Sequence, residues 1–310
     1  MSGNKSREQR IIRASWNSII GNAFLSVIKI TAGFLSGSMA LVADGVDSAS
    51  DIITSLITLI TARIISKPPD LKYPYGYEKA DTIASKLLAF IIFFAGAQLA
   101  ISTIQRLISG QKPEIPAMFA IIVACVSIIG KQFLAYYLTR VGKNSDSEML
   151  KTNARNMQSD VVISSSVLMG LVFTHILNLP ILDLITALAV SVWIMYVAIR
   201  IIIKSGYSLM DRIDDPAIYK SIANAVACVP GAFNPHRIRA RKMAHFYVID
   251  LDIEVDGSLS LFQAHEITHE IENNIKAQIP NIYDVIVHVE PLGDDSSNEV
   301  YGVSGKDLQK

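Results

Sequence analysis

Six stretches of this chain are apolar for long enough to cross a lipid bilayer, and no other feature restricts its fold so far. They lie near residues 12–35, 39–65, 82–108, 117–138, 155–177 and 181–203. A helical span takes about 20 residues. Inside lipid a backbone must satisfy its own N–H and C=O groups, so runs of this length are expected to be helices. Composition agrees: of 310 residues 51% are hydrophobic and 18% charged, with a mean hydropathy of +0.37, too apolar for a soluble domain.

The breaks between runs alternate in length. "LSGS", "GQKPEIP" and "LNLP" are short, whereas "SKPPDLKYPYGYEKAD" and "TRVGKNSDSEMLKTNAR" are long and polar. Lys5, Arg7, Arg10, Arg13, Lys67, Lys72, Lys79, Arg140, Lys143, Lys151, Arg155 and Lys204 fall on the side of the long loops, against little beyond Arg106 and Lys112 opposite. The positive-inside rule then puts both termini and the long loops in the cytoplasm of a multi-pass protein, expected in the plasma (inner) membrane. The expected divisions are a cytoplasmic segment 1–14, a six-helix membrane domain 15–210, a cytoplasmic domain 211–292 and a flexible tail 293–310. Polar "MSGNKSREQR" and the missing small-residue cleavage site argue against a removable signal peptide.

Lys+Arg and Asp+Glu balance at 28 each, so the charge points to no nucleic-acid partner. Cys125 and Cys228 have no CxxC or finger spacing and read as packing residues. From Asp211 the pattern turns α+β: "DPAIYKSIANAVACV" is helical, "HRIRARK" and "HFYVIDLDIEVD" alternate as strands, "SLFQAHEITHEIENNIKAQI" is an amphipathic helix and "YDVIVHVEP" a last strand. That order suits a small sheet with helices on one face.

The second apolar run begins "VADGVDSASDIITSLITLI" and carries three aspartates. A carboxylate in hydrocarbon costs about 2.5–3.5 kcal/mol on insertion scales, so such residues mark function. Asp44, Asp47 and Asp51 share a helical face with Ser55, Thr58 and Thr61. Asp44, five residues into the span, is expected at a solvated outer mouth; Asp51 lies roughly 18 Å in, at about 1.5 Å per residue. In "NARNMQSDVVISSS", Asn156 and Asp160 repeat the i, i+4 spacing of Asp47 and Asp51. Two such helices face to face would offer three carboxylates and an amide, a hard-oxygen site for a divalent cation.

These pairs, with "SMALVADGVDSASD", "YPYGYEKAD", "GKNSDSEMLKTNA" and "HRIRARK...QAHEI...IVHVEP", resemble the cation diffusion facilitator family over residues 15–292. The resemblance implies a homodimeric metal/proton antiporter with six transmembrane helices and a ferredoxin-like, metal-sensing cytoplasmic domain. It places Asp47, Asp51, Asn156 and Asp160 at the transport site, and His236, Asp252, His265, His288 and Glu290 at positions that bind metal between two cytoplasmic domains. Lys79 and Asp211 match a charge interlock near the membrane surface. Zinc-transporting members usually have a histidine in at least one pair; with Asp47 and Asn156 in first position, the donor set favours Mn²⁺ over Fe²⁺ or Zn²⁺. Tyr73 and Tyr77 replace histidines of an accessory zinc site, which is expected to be absent although Asp70 remains. One of Asp47, Asp51 and Asp160 is expected to take up a proton as metal leaves. His245 and His269 match no ligand position, and Lys29 and Lys86 are expected to snorkel or to line a dimer face or pore.

Two other readings compete. An intramembrane aspartyl protease would need one catalytic aspartate per helix in Tyr-Asp and Gly-x-Gly-Asp settings, which the membrane part lacks. A metal sensor with a vestigial membrane part would have no use for four intact oxygen ligands.

Overall fold

Hydropathy marks where helices meet lipid, but polar residues continue them beyond it. In the structure, a computed structural model that describes residues 2–109, 114–145, 147–243, 246–293 and 301–304, six long helices are α1 (Ser2–Ser36), α2 (Met39–Ile65), α3 (Lys79–Ile108), α4 (Phe119–Asn144), α5 (Glu148–Leu177) and α6 (Ile181–Leu209). All six contain a window long and apolar enough to cross a membrane. Two expectations change. The hydrophilic start, residues 2–14, is helical and continuous with the first span, since α1 begins at Ser2. Most of "TRVGKNSDSEMLKTNAR" is helical too: α4 runs on to Asn144, and Ser147, whose Oγ accepts from Leu150 N–H, starts α5 seven residues before the apolar run.

The chain divides into two units, Met1–Pro68 with Ile83–Ser205, and Pro69–Thr82 with Gly206–Lys310. In the first, α1 and α2 cross with backbones in contact. A Cβ on Gly45 would lie 3.0 Å from Ile30 N, and one on Gly33 2.8 Å from Val42 N, so glycine is what permits the approach. The start of α2 is tied to α6: Ser38 Oγ donates to Asp183 Oδ1 at 2.6 Å, and Asp183 Oδ2 accepts from Met39 N–H at 2.8 Å. A carboxylate on a helix N-terminus meets free N–H groups and the positive end of the helix dipole, which explains a buried aspartate there. Leu41, Leu88, Ile92, Val167, Leu171 and Ile194 lie in one apolar core, while Ala14, Ala135, Leu138, Leu150 and Met157 form a second where α1, α4 and α5 meet.

The second unit has the predicted order: α7 (Ala217–Ala227), β1 (Phe233–Met243), β2 (Phe246–Val255), α8 (Leu261–Gln278) and β3 (Ile282–Pro291). β1 pairs antiparallel with β2, and β2 parallel with β3. A parallel neighbour requires a crossover, which α8 supplies. Its start is fixed by a capping box, Ser260 Oγ accepting from Gln263 N–H and Gln263 Oε1 from Ser260 N–H. Ile222, Val226, Ile238, Ile249, Leu251, Ile253, Ile271 and Ile275 make its core.

The expected tail, 293–310, is described only in part. Residues 294–300 and 305–310 lie outside the described residues, as do Lys112 and His245. Tyr301–Ser304, however, sit on β1: Val303 exchanges two 2.9 Å backbone hydrogen bonds with Ile238. β1 is an edge strand, and its unpaired backbone groups bind an extended segment readily. Tyr301 adds its ring to the guanidinium groups of Arg237 and Arg239, 5.5 and 5.0 Å from its centroid.

Candidate metal sites

The polar face of α2 is met at two levels by lysines from other helices. At the first level Asp44 is enclosed, its side chain 1% exposed, with Oδ2 2.7 Å from Lys29 Nζ of α1. Lys29 also donates to Ser164 of α5 at 2.9 Å and to Ser48 at 3.4 Å, and Ser164 Oγ donates to Asp44 Oδ1 at 2.7 Å. The expected solvated mouth position is therefore incorrect for Asp44, and so is snorkelling for Lys29. A carboxylate and an ammonium held in an apolar interior are tolerated because each neutralises the other, with hydroxyls bonding the ammonium and Asp44 Oδ1. Lys86 is part-buried.

Two turns further along α2, Asp51 reaches the second level. Asp51, Asn156 and Asp160 line one cleft of about 210 Å³, together with Ser15, Ser18, Asn22, Ser55, Thr58 and Asn153 from α1, α2 and α5. Among its donors are two carboxylates, three amides and several hydroxyls, with no nitrogen base or sulfur among the ligating types apart from Met149 and Met157 thioethers. The structure thus brings together three of the four expected transport residues. Asp47, one turn earlier on α2, is part-buried and not on the cleft lining. Behind the cleft stands Lys131 of α4, fully buried, with Nζ 3.2 Å from Asp160 Oδ2 and 3.9 Å from Asp51 Oδ2. Sequence reasoning missed it. A lone lysine in an apolar run has no local partner, and only the packing of α4 against α5, with the lysine's reach to Asp51 of α2, supplies one.

The cytoplasmic residues gather in part. His236, Asp252 and Glu290 offer ligand atoms within 4.8 Å of one another. His236 Nε2 lies 3.2 Å from Glu290 Oε2, and His288, on the same side of β3, approaches Glu290 Oε1 at 3.6 Å. Arg237 joins them unpredicted, its Nη1 donating to Asp252 Oδ2 at 2.8 Å and to Glu290 Oε1 at 3.1 Å. Strand alternation would send residues 236 and 237 to opposite faces. β1 is irregular on either side of His236, and Arg237 has a φ of 46°, so a bulge turns both toward the same acids. His265 is elsewhere, exposed on α8, with its Nε2 3.0 Å from that of His269.

In the loop before α3, Asp70 accepts hydrogen bonds from the N–H groups of Lys72 and Tyr73 and from Tyr77 Oη at 2.6 Å. That bond to the carboxylate holds the Tyr77 hydroxyl above its ordinary pKa. Lys79 Nζ and Asp211 Oδ1 are 3.0 Å apart, as the interlock would require, but 50% and 38% exposed. A pair so solvated contributes at most about 1 kcal/mol.

Comparison with known proteins bears on both units. Residues 15–210 match the cation efflux transmembrane domain, and residues 215–292 the cytoplasmic domain of cation efflux proteins. The manganese efflux system protein MneP of Bacillus subtilis (strain 168) is 28% identical over 291 residues, 92% of this chain and 97% of MneP. The manganese efflux system protein MneS of the same organism is 33% identical over 277 residues, 89% of this chain and 93% of MneS. The magnetosome protein MamB of Magnetospira sp. (strain QH-2) is 30% identical over 277 residues, 89% of this chain and 94% of MamB. These are matches to cation efflux transporters rather than to enzymes, so the protease reading is set aside. Two domains of one family, matched in order along nearly the whole of a multi-pass membrane chain, show that the protein belongs to the cation efflux, or cation diffusion facilitator, family.

Proposed function

We propose that the protein exports a divalent metal ion in exchange for protons, with Mn²⁺ preferred over Fe²⁺ and Zn²⁺, and that Asp47, Asp51, Asn156 and Asp160 bind the ion in transit. The observation that carries this reading is the cleft where Asp51, Asn156 and Asp160 converge. Carboxylate and amide oxygens suit Mn²⁺, whereas Zn²⁺ gains most from imidazole and thiolate. Relatives named for manganese efflux support the same preference. Metal enters from the cytoplasm, where both termini lie, and leaves across the plasma membrane as the helices reopen. One of the three aspartates takes up a proton as the ion departs. Two copies work as a dimer, and lipid surrounds the helices.

The test is metal-driven proton flux in proteoliposomes with Mn²⁺, Fe²⁺ and Zn²⁺ in turn, for the natural protein and Asn156→His. Mn²⁺ is expected to drive the largest flux, and the histidine to shift preference toward Zn²⁺. An unchanged order of metals in the variant would sink the selectivity argument, and no flux with any metal would leave a sensor as the better account.

The cytoplasmic cluster serves as a regulatory site, with His236, Asp252 and Glu290 as ligands and His288 at its rim; His265 would join only through a partner subunit. One nitrogen and two carboxylates fit a borderline divalent ion. Arg237 already neutralises both acids, so an incoming ion must compete with its guanidinium. Arg237→Ala is expected to tighten metal binding there by about tenfold or more, because a nearby like charge is removed. Calorimetry on the full chain carrying Asp160→Asn, which weakens the membrane site, reads this; unchanged affinity would mean that Arg237 does not contest the site.

A further inference from the structure

We propose that Lys131 is a positioning residue that sets how tightly the transport site holds its ion and how fast it lets go; the inference rests on the transport-site reading above. The two buried lysines of the membrane unit differ in kind. Lys29 is fully engaged, with a 2.7 Å contact to Asp44 and hydroxyl partners on two helices. That arrangement ties α1, α2 and α5 together and encloses Asp44, whose side chain is 1% exposed and whose Oδ2 faces the ammonium. Lys131 is equally buried, yet its ammonium finds no hydrogen bond of normal geometry among the described residues, and neither does Asp51 Oδ2. Only charge holds it, at 3.2 Å from Asp160 and 3.9 Å from Asp51.

Its partners also face the other way. The side chains of Asp51 and Asp160 are 43% and 15% exposed, and both line the cleft, whereas Lys131 is absent from that lining. The carboxylates therefore stand between a fixed cation behind and an arriving cation in front. A buried ammonium with incomplete hydrogen bonding is costly, and a chain seeking stability alone would place an apolar residue or a well-bonded pair there. What the lysine supplies is charge. The two carboxylates that line the cleft, Asp51 and Asp160, with Lys131 behind them carry a formal charge of −1; without the lysine they carry −2. The extra negative charge would deepen binding in every state of the cycle, and tighter binding that does not discriminate between states slows release.

Lys131→Met is expected to lower KM for Mn²⁺ roughly 10- to 100-fold, since one repulsive unit charge a few Å away in a partly desolvated site is removed. It should lower kcat as well, and Lys131→Arg should restore both. A merely structural lysine predicts otherwise: less folded protein and reduced kcat with KM unmoved. Flux in proteoliposomes gives the split, calorimetric Mn²⁺ binding to the full chain in detergent gives affinity directly, and gel filtration reports folding. Lys131→Gln serves if the methionine variant fails to fold. Folded variants with KM and affinity within twofold of the natural protein would overturn the inference. Asp160→Asn in the same assay separates the two claims: undiminished transport there removes the transport-site reading itself, whatever Lys131 does.

Discussion

Lys29→Met is expected to destabilise the membrane unit by about 3–5 kcal/mol, the cost of leaving one member of a buried ion pair without its partner. Asp44 would keep its hydrogen bond from Ser164 but lose the cation 2.7 Å away, in surroundings where its side chain is 1% exposed. The readout is the unfolding midpoint of the purified protein in detergent. Removing the second charge should undo most of the damage, because an apolar pair of similar volume often replaces a buried salt bridge at little cost. Lys29→Met with Asp44→Leu is therefore expected to unfold near the natural midpoint, and a double variant as unstable as the single would show that the hydroxyl network, not charge, dominates. The comparison also separates Asp44 from its neighbours on α2, since no such rescue is expected for a residue that handles the ion.

Asp51→Ala should abolish transport without comparable loss of stability. Even partners one step removed from a metal ligand cost 10- to 100-fold when deleted, so losing a ligating carboxylate is expected to reduce Mn²⁺ flux by at least about 100-fold. Asp51 is 43% exposed in the cleft, and Lys131 keeps its closer contact with Asp160, so no buried charge is stranded. Flux assayed beside gel filtration reads both properties. Equal flux in a folded Asp51→Ala protein would overturn the assignment of the site.

What the chain discloses before folding depends on how local the signal is. The six spans were legible because an apolar run of this length has one structural solution in lipid. Their polar extensions were not, since "TRVGKNSDSEMLKTNAR" reads as a loop by hydropathy and as helix only once Ser147 caps α5. Asp51, Asn156 and Asp160 could be named from i, i+4 spacing, a relation within one helix. Lys29 and Lys131 could not, because their partners are brought by other helices. Arg237 was hidden for a different reason: the bulge in β1 breaks the alternation on which strand reading depends. His269 likewise gained meaning only beside His265, although their four-residue separation on a helix was there to be read.

Asn156 is exposed on the cleft wall, while Asp44, Lys29 and Lys131 are sealed in the interior. With Asn156 as one of the proposed ligands, a change at position 156 would alter the donor set without opening a cavity or stranding a charge. On the proposed function, the cargo could then be retuned one substitution at a time, while the buried ion pairs between helices stay as they are. A lineage facing a new toxic metal would be expected to vary first at this asparagine and last at the lysines behind it.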